Sequence, residues 1–216
     1  MEPITTTIAV ITAITTCISV RQYVKIKNKN EEIDSLLAAL TQYSSTYAFE
    51  KCDEVMIDDC QKFLSSYLKG KSFAQILEGK TEAEKKQITE KLVSELAKRM
   101  KVNISAINIQ QLSEGTLGAE TVDDNGNILL YLNADLLAVD PDRLIFIMLH
   151  ELRHAVQDSS LRKDVWGFSD ERKAQWLIGN QQYVRGDSKS KFRAYYYQIL
   201  ENDANAFASA VLKNNK

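Results

Sequence analysis

The segment from Asp140 to Val156 constrains the fold of this chain more than any other. Asp140 followed by Pro141 is a typical helix start, with the aspartate as N-cap and the proline in the first turn. Apolar residues then recur at helical spacing and predict a buried stripe: Ile145, Leu149, Leu152 and Val156. The sequence therefore predicts a helix that packs on the protein core along this stripe.

The same helix carries the only two histidines of the protein, His150 and His154. Because they are four residues apart, they lie one turn apart on one helix face, beside the apolar stripe. Two neutral imidazoles in this arrangement can hold one zinc ion, and Glu151 can take a proton from a water bound to that ion. A lone histidine on an apolar face is usually a packing residue, so the shared face and the adjacent glutamate favour a metal site.

A catalytic zinc ion needs a third protein ligand and leaves a fourth position for water. The chain has no third histidine, so a carboxylate is the natural candidate. Near the C-terminus a further helix is predicted, with a buried stripe at Leu200, Ala204, Phe207 and Val211. Glu201 lies at the edge of that apolar face, where binding a cation would remove the cost of burying an unpaired carboxylate. Asn205, one turn further on, could hydrogen-bond a ligand histidine.

Together, H-E-L-R-H at residues 150–154 and E-N-D-A-N-A-F-A at residues 201–208 resemble the gluzincin metallopeptidases, and among them the ImmA/IrrE-like domains. The resemblance covers about residues 102–212. It implies that His150, His154 and Glu201 bind Zn²⁺, that Glu151 is the general base and that Asn205 supports a ligand. It also implies a short sheet before the metal helix and a later helix that donates the third ligand.

Three features depart from the pattern of those domains. The segment between His154 and Glu201 is longer, Arg153 stands where a small residue is common, and no further histidine can stabilise a transition-state oxyanion. The candidates for that last role are Arg185, Arg193, Tyr195, Tyr196 and Tyr197. The inserted segment, residues 158–191, carries aromatic residues that would either cap the cleft or fill a satellite core: Trp166, Phe168, Trp176 and Tyr183.

The rest of the chain divides into three predicted regions. Residues 1–24 are an apolar N-terminal segment, residues 25–101 a helical scaffold with a capping box at Thr81–Glu84, and residues 102–216 a zincin-like domain. Alternating apolar residues after Val102, and a turn at Asp123–Gly126 between two apolar runs, predict a small, mostly antiparallel sheet. The predicted fold class is therefore α+β, with an edge strand beside the cleft that could hold an extended peptide.

Residues 4–20 contain no charged side chain and are followed by Arg21, Lys25, Lys27 and Lys29. This segment is near the lower end of the length that spans a bilayer, and its threonines dilute its hydropathy. Membrane association and packing on the protein are both compatible with the pattern. If the segment spans a membrane, the basic residues place the remainder of the chain on the cytoplasmic side.

Composition restricts the class of partner. The formal net charge is −2, with basic and acidic residues interspersed, so no nucleic-acid surface is indicated. Cys17, Cys52 and Cys60 fit no zinc-ribbon spacing and are interpreted as free thiols in a reducing compartment, although Cys52 and Cys60 could pair in an exported protein. The expected location is the cytoplasm or the cytoplasmic face of a membrane.

The function predicted from the sequence is a zinc metallopeptidase that hydrolyses a protein or peptide substrate. A non-catalytic, zinc-stabilised binding or regulatory module, tethered to a membrane by its N-terminal helices, is the alternative. A helical, membrane-associated adaptor with a chance H-E-x-x-H sequence is the third interpretation, and it predicts no stoichiometric metal.

Overall fold

The computed structural model describes residues 47–113, 115–183 and 198–213. The predictions for the N-terminal segment at residues 1–24, for residues 25–46 of the helical scaffold, and for Arg185, Arg193 and Tyr195–Tyr197 lie outside these residues. In the described part the chain forms seven helices and three strands. In chain order they are α1 (Lys51–Leu68), α2 (Phe73–Leu77), α3 (Glu82–Arg99), β1 (Ile104–Gln110), β2 (Gly118–Val122), β3 (Ile128–Asn133), α4 (Leu136–Val139), α5 (Pro141–Lys163), α6 (Asp170–Gln181) and α7 (Ile199–Leu212). The predicted α+β class is confirmed.

Helix boundaries occur where the local sequence predicts them. The Thr81 side chain accepts a hydrogen bond from the backbone of Glu84, and the Glu84 side chain bonds back to Thr81, which confirms the capping box of α3. The side chain of Asp140 caps α5 by accepting from the backbone N–H of Arg143. Helix α1 ends where Lys69 and Gly70 both adopt left-handed backbone conformations. These boundaries depend on neighbouring residues only, so sequence alone can predict them.

The sheet differs from its prediction. Strands β2 and β3 form the expected antiparallel hairpin across the turn at Asp123–Gly126, whose backbone N–H groups at Asn125 and Asn127 donate to the Asp123 carboxylate. However, β1 pairs with β3 in parallel, and the strand order is β1-β3-β2. The predicted mostly antiparallel sheet is therefore wrong, and the sheet is mixed. The most apolar strand, β3, is the central strand. After β1 the chain first forms β2 at the opposite edge of the sheet, and β3 then fills the position between β1 and β2.

One continuous apolar core joins the helices that precede the sheet to the helices that follow it. Residues of α1 and α3, such as Leu64 and Leu92, belong to the same cluster as Leu130 in β3 and Phe207 in α7. The predicted stripe of α5 is buried throughout: Ile145, Leu149, Leu152 and Val156. Helix α5 is surrounded on several sides, because α2, α3, α4, α6, α7 and the sheet all contact it. The domain boundary that we place at residue 102 stays a prediction.

The aromatic residues of the inserted segment separate into two groups. Phe168 and Trp176 are buried in the main core, where their rings meet edge to face with centroids 4.7 Å apart. Tyr183 follows α6 and is 42% exposed. The segment thus packs on the core with one part and reaches the site described below with another.

Cys52 and Cys60 are free thiols, and both lie on α1. Eight residues along a helix separate their Cα atoms by about 12 Å, which is beyond the reach of a disulfide. The free thiols predicted at Cys52 and Cys60 are confirmed, and this fold excludes the alternative that the two pair in an exported protein. Within residues 47–113, 115–183 and 198–213, no helix combines the length and the apolar character needed to cross a membrane.

Candidate metal centre

The three predicted ligands meet at one point inside the protein. His150 and His154 extend from α5, and Glu201 extends from the first turn of α7, which packs against α5. Their nearest ligand atoms all lie within 4.8 Å of one another. His150 and Glu201 are 8% and 2% exposed, and His154 is partly buried. These three side chains could hold a metal ion.

The separations between these atoms are close to those of ligands that share one ion, with a different oxygen of Glu201 nearest to each histidine. The Nε2 atoms of the two histidines lie 3.0 Å apart, and Glu201 Oε2 lies 3.3 Å from His150 Nε2. Glu201 Oε1 lies 3.5 Å from His154 Nε2. Ligands at ordinary zinc distances in tetrahedral geometry are about 3.3 Å apart. The two helices therefore already hold the three groups at separations near those of ligands around one ion.

Electrostatics at this point favour a cation. Burial lowers the pKa of His154, but the Glu201 and Glu151 carboxylates outweigh it and raise that pKa to about 10. Burial would likewise raise the pKa of Glu201, but the two histidines hold it well below its ordinary value. The carboxylates therefore favour a bound proton, and so a positive charge, on His154 beside the ionised Glu201. A metal cation would take the place of that proton.

Glu151 lies beside the three ligands and lines the same cavity. Burial raises the pKa of its carboxyl group, and the nearby histidines oppose that rise only in part. The backbone N–H of Glu120, in strand β2, donates to the Glu151 carboxylate. Strand β2 therefore fixes the position of the carboxylate that the sequence predicts as the general base.

The cavity has a volume of about 280 Å³. Its walls are formed by the second half of α5, strand β2, the end of α6 and the start of α7. Besides the ligands and Glu151, its polar lining includes Glu120, whose pKa is raised to about 7 by burial and by the charge of Asp158. The predicted metal ligands thus face a space large enough for part of a substrate.

Gly118 permits the close approach of β2 to α5. A Cβ atom at this position would lie 2.6 Å from Ile147 Cγ2, and 2.9 Å from both Cγ and Oε1 of Glu151. Any side chain here would press on the helix that carries the histidines and on the Glu151 carboxylate.

Substituting Gly118→Ala is expected to destabilise the protein by about 1–3 kcal/mol, because the added methyl group overpacks the contact between β2 and α5. Denaturant unfolding would measure the change in free energy. Val122→Ala, at the exposed end of the same strand, is the matched control and should cost less. Equal stability of Gly118→Ala and the wild type would contradict the close packing of β2 on Glu151.

Two further residues contact the ligands directly: Gln157, which the sequence did not single out, and Tyr183, which it placed among the aromatic residues that would cap the cleft or fill a satellite core. Gln157 Oε1 lies 2.8 Å from His154 Nδ1, and the hydroxyl group of Tyr183 donates to Glu201 Oε1 over 2.8 Å. Gln157 follows His154 by three residues on one helix, so helical spacing alone could have suggested it. The approach of Tyr183 to Glu201 depends on the packing of α6 against α7, and no local pattern predicts it.

The unusual Arg153 of the motif is fully buried and paired. Its guanidinium group donates from Nε to Asp203 Oδ2 over 2.8 Å and from Nη2 to Asp203 Oδ1 over 2.9 Å. On its other side it forms an ion pair with Asp53 Oδ1 at 2.7 Å, a contact that is not aligned as a hydrogen bond. Asp53 belongs to α1, in the region that the sequence predicts as a helical scaffold. Arg153, which stands where a small residue is common in the ImmA/IrrE-like domains, therefore joins α1, α5 and α7 through buried ion pairs.

Asn205 is buried on α7, one turn after Glu201. The described hydrogen bonds do not link it to either histidine, and its predicted supporting role stays a prediction. The described partner of a ligand histidine is Gln157 instead. The predicted oxyanion candidates among residues 185–197 lie outside the described residues.

Comparison with known proteins adds no assignment. The chain matches no protein-family model, no curated protein and no solved structure. The function of the site therefore has to be inferred from its own residues and their geometry.

Proposed function

We propose that this chain is a zinc metallopeptidase with a zincin-like domain of the gluzincin type, which hydrolyses a protein or peptide substrate. The observation that carries the proposal is the convergence of His150, His154 and Glu201 on one point, with the Glu151 carboxylate in the same cavity. The H-E-x-x-H spacing also supports it, since the sequence alone predicts the same three ligands, with Glu201 as the third.

The ligand set suits zinc. Imidazole nitrogens and a carboxylate oxygen bind Zn²⁺ readily, and three protein ligands rather than four are typical of catalytic zinc. A zinc ion held here would supply Lewis acidity, polarising a carbonyl group and lowering the pKa of water. Tyr183 restrains the Glu201 carboxylate, and Gln157 restrains the His154 ring, so two of the three ligands are held before any ion binds.

Glu151 is the proposed general base. Its raised pKa moves the carboxyl group towards the pH at which it can both accept and return a proton. In this role Glu151 takes the proton of the attacking water and delivers it to the nitrogen of the departing amine. The hydrogen bond from the Glu120 backbone and the tight contact at Gly118 keep the carboxylate in place for both transfers.

Strand β2 supports a peptide as the substrate. It is one of the two edge strands of the sheet, and its residues Gly118, Ala119 and Glu120 line the cavity. An extended peptide could add alongside this strand through backbone hydrogen bonds, which is a common way of holding an unstructured segment. Its scissile bond would then pass in front of the three ligands and Glu151.

The direct test is metal analysis of the purified full chain, followed by assays against a peptide library with and without a chelator. The expected result is one zinc ion per chain, cleavage that the chelator abolishes, and recovery of cleavage when zinc is restored. One zinc ion per chain without cleavage of any peptide would favour the non-catalytic module. An absence of stoichiometric metal would identify the motif as a chance occurrence.

A further inference from the structure

The carboxylate of Asp203 is a buried junction behind the metal ligands. It lies on α7 two residues after Glu201 and is fully buried. Arg153 donates to both of its oxygens, and Gln157 Nε2 donates to Oδ2 over 2.6 Å. Arg153 and Gln157 are four residues apart on α5, so they present their donors to Asp203 from one helix face.

The orientation of the Gln157 amide follows from its partners. Its Nε2 atom has two acceptors, the Leu200 carbonyl oxygen at 3.1 Å and Asp203 Oδ2. Because an amide nitrogen only donates and both of these partners only accept, the Oε1 atom must face His154. That oxygen only accepts, so the Nδ1 atom of His154 must carry the proton of the 2.8 Å contact.

The state of the metal-facing nitrogen depends on this contact. A neutral imidazole with its proton on Nδ1 has a bare Nε2, and Nε2 is the atom that faces His150 and Glu201. The chain of contacts from Arg153 through Asp203 and Gln157 therefore selects the tautomer in which His154 can bind a metal. It also fixes the plane of the ring.

We propose that Asp203, held by Arg153, is a positioning residue for the ligand His154, acting through Gln157. This inference rests on the proposed metal site and adds to it the group that prepares one ligand. Asp203 does not itself line the cavity, and the described hydrogen bonds join it to no ligand atom, so its contribution passes through the Gln157 amide.

The substitution Asp203→Asn has a specific expected effect. Every donor around the carboxylate points at it, including the Tyr47 hydroxyl group and the Arg172 guanidinium group. An amide would have to face some of these donors with its own N–H₂ group. Oδ2 accepts from two donors and Oδ1 from three, so the new N–H₂ group is expected at the position of Oδ2. There it would face the nitrogen of Gln157, which is one of the two donors to Oδ2. The Gln157 amide is therefore expected to turn and to present its nitrogen to His154. That rotation would favour the wrong tautomer for metal binding.

Asp53 supplies a matched control. Like Asp203 it is fully buried and paired with Arg153, but it lies on α1 and does not contact Gln157. Asp53→Asn therefore removes a comparable charge from the same arginine and leaves the path to His154 intact. Both substitutions are expected to lower thermal stability, whereas only Asp203→Asn should alter the ligand.

The first measurement is the affinity for zinc alone, by competition with a chromogenic chelator. Asp203→Asn is expected to weaken zinc binding by about 10–100-fold, and Asp53→Asn by less than about threefold. Gln157→Leu removes the contact to His154 directly and should weaken zinc binding as much as Asp203→Asn does. Equal losses in Asp203→Asn and Asp53→Asn would show that the network only supports folding, and would overturn the proposal.

The second measurement is nuclear magnetic resonance of the imidazole rings, which is simple because the chain has two histidines. In the wild type, with or without zinc, the Nδ1 proton of His154 should exchange slowly, because Nδ1 donates to Gln157 Oε1 in the charged ring as well as in the neutral tautomer. This slow exchange should be lost in Asp203→Asn and Gln157→Leu, which remove the acceptor, and kept in Asp53→Asn. Failure of the wild type to bind zinc would refute the metallopeptidase, while the ring spectra of the metal-free protein would still decide the positioning role. A ring proton unchanged in Asp203→Asn would overturn the positioning role alone.

Discussion

Replacing Glu151 with glutamine is expected to lower kcat/KM for peptide hydrolysis by at least about 100-fold, with zinc still bound at one ion per chain. Glutamine matches the shape of glutamate and can still accept the hydrogen bond from the Glu120 backbone. It cannot take a proton from water at neutral pH, so the general base is lost while the three ligands are untouched. Steady-state kinetics and metal analysis on the same preparations would measure both effects.

Glu90→Gln is a matched control, because Glu90 is exposed on α3 and does not line the cavity. It should behave as the wild type. Full activity of Glu151→Gln would refute the assignment of the general base. If the variant is inactive as expected, a comparison of cleaved protein termini between wild-type and Glu151→Gln cells would identify the substrates.

Replacing Glu201 with alanine is expected to weaken zinc binding by more than about 100-fold, because one of the three ligands is lost. Substitution of a residue that only hydrogen-bonds a ligand typically weakens binding by about 10–100-fold. Hydrolysis should fall with the metal. In the wild type, zinc at about a hundred times its Kd should raise the Tm by about 5–10 °C. Glu201→Ala should show no such rise at the same zinc concentration, and differential scanning calorimetry would compare the two.

Glu201→Gln separates coordination from packing. The amide fills the space of the carboxylate and can accept from the Tyr183 hydroxyl group, but it carries no charge. It should lose zinc as Glu201→Ala does. Asn202→Ala, at the next position of the same helix and outside the cavity lining, is the control and should bind zinc normally. Normal zinc affinity in both Glu201 variants would remove Glu201 from the ligand set.

The shape of the sheet shows where prediction from sequence ends. The hairpin of β2 and β3 closes over the short turn at Asp123–Gly126, so its antiparallel pairing is a local property. The parallel pairing of β1 with β3 arises because the chain forms β2 at the far edge of the sheet before it forms β3. The alternation of apolar and polar residues along each strand does not specify this order. Local rules therefore predicted the strands and the hairpin, while the strand order required the tertiary structure.

The sequence by itself determined the start of α5 at Asp140 and Pro141, its buried stripe, and the shared face of His150 and His154. Each of these follows from spacing within one helix, which sequence position specifies directly. Only the tertiary structure decided that Glu201 meets both histidines, that Tyr183 and Gln157 restrain the ligands, and that Arg153 pairs with Asp203 and Asp53. Those contacts join residues distant in the chain, except for Gln157, whose amide orientation depends on α7. They exist because the core brings α1, α5 and α7 together.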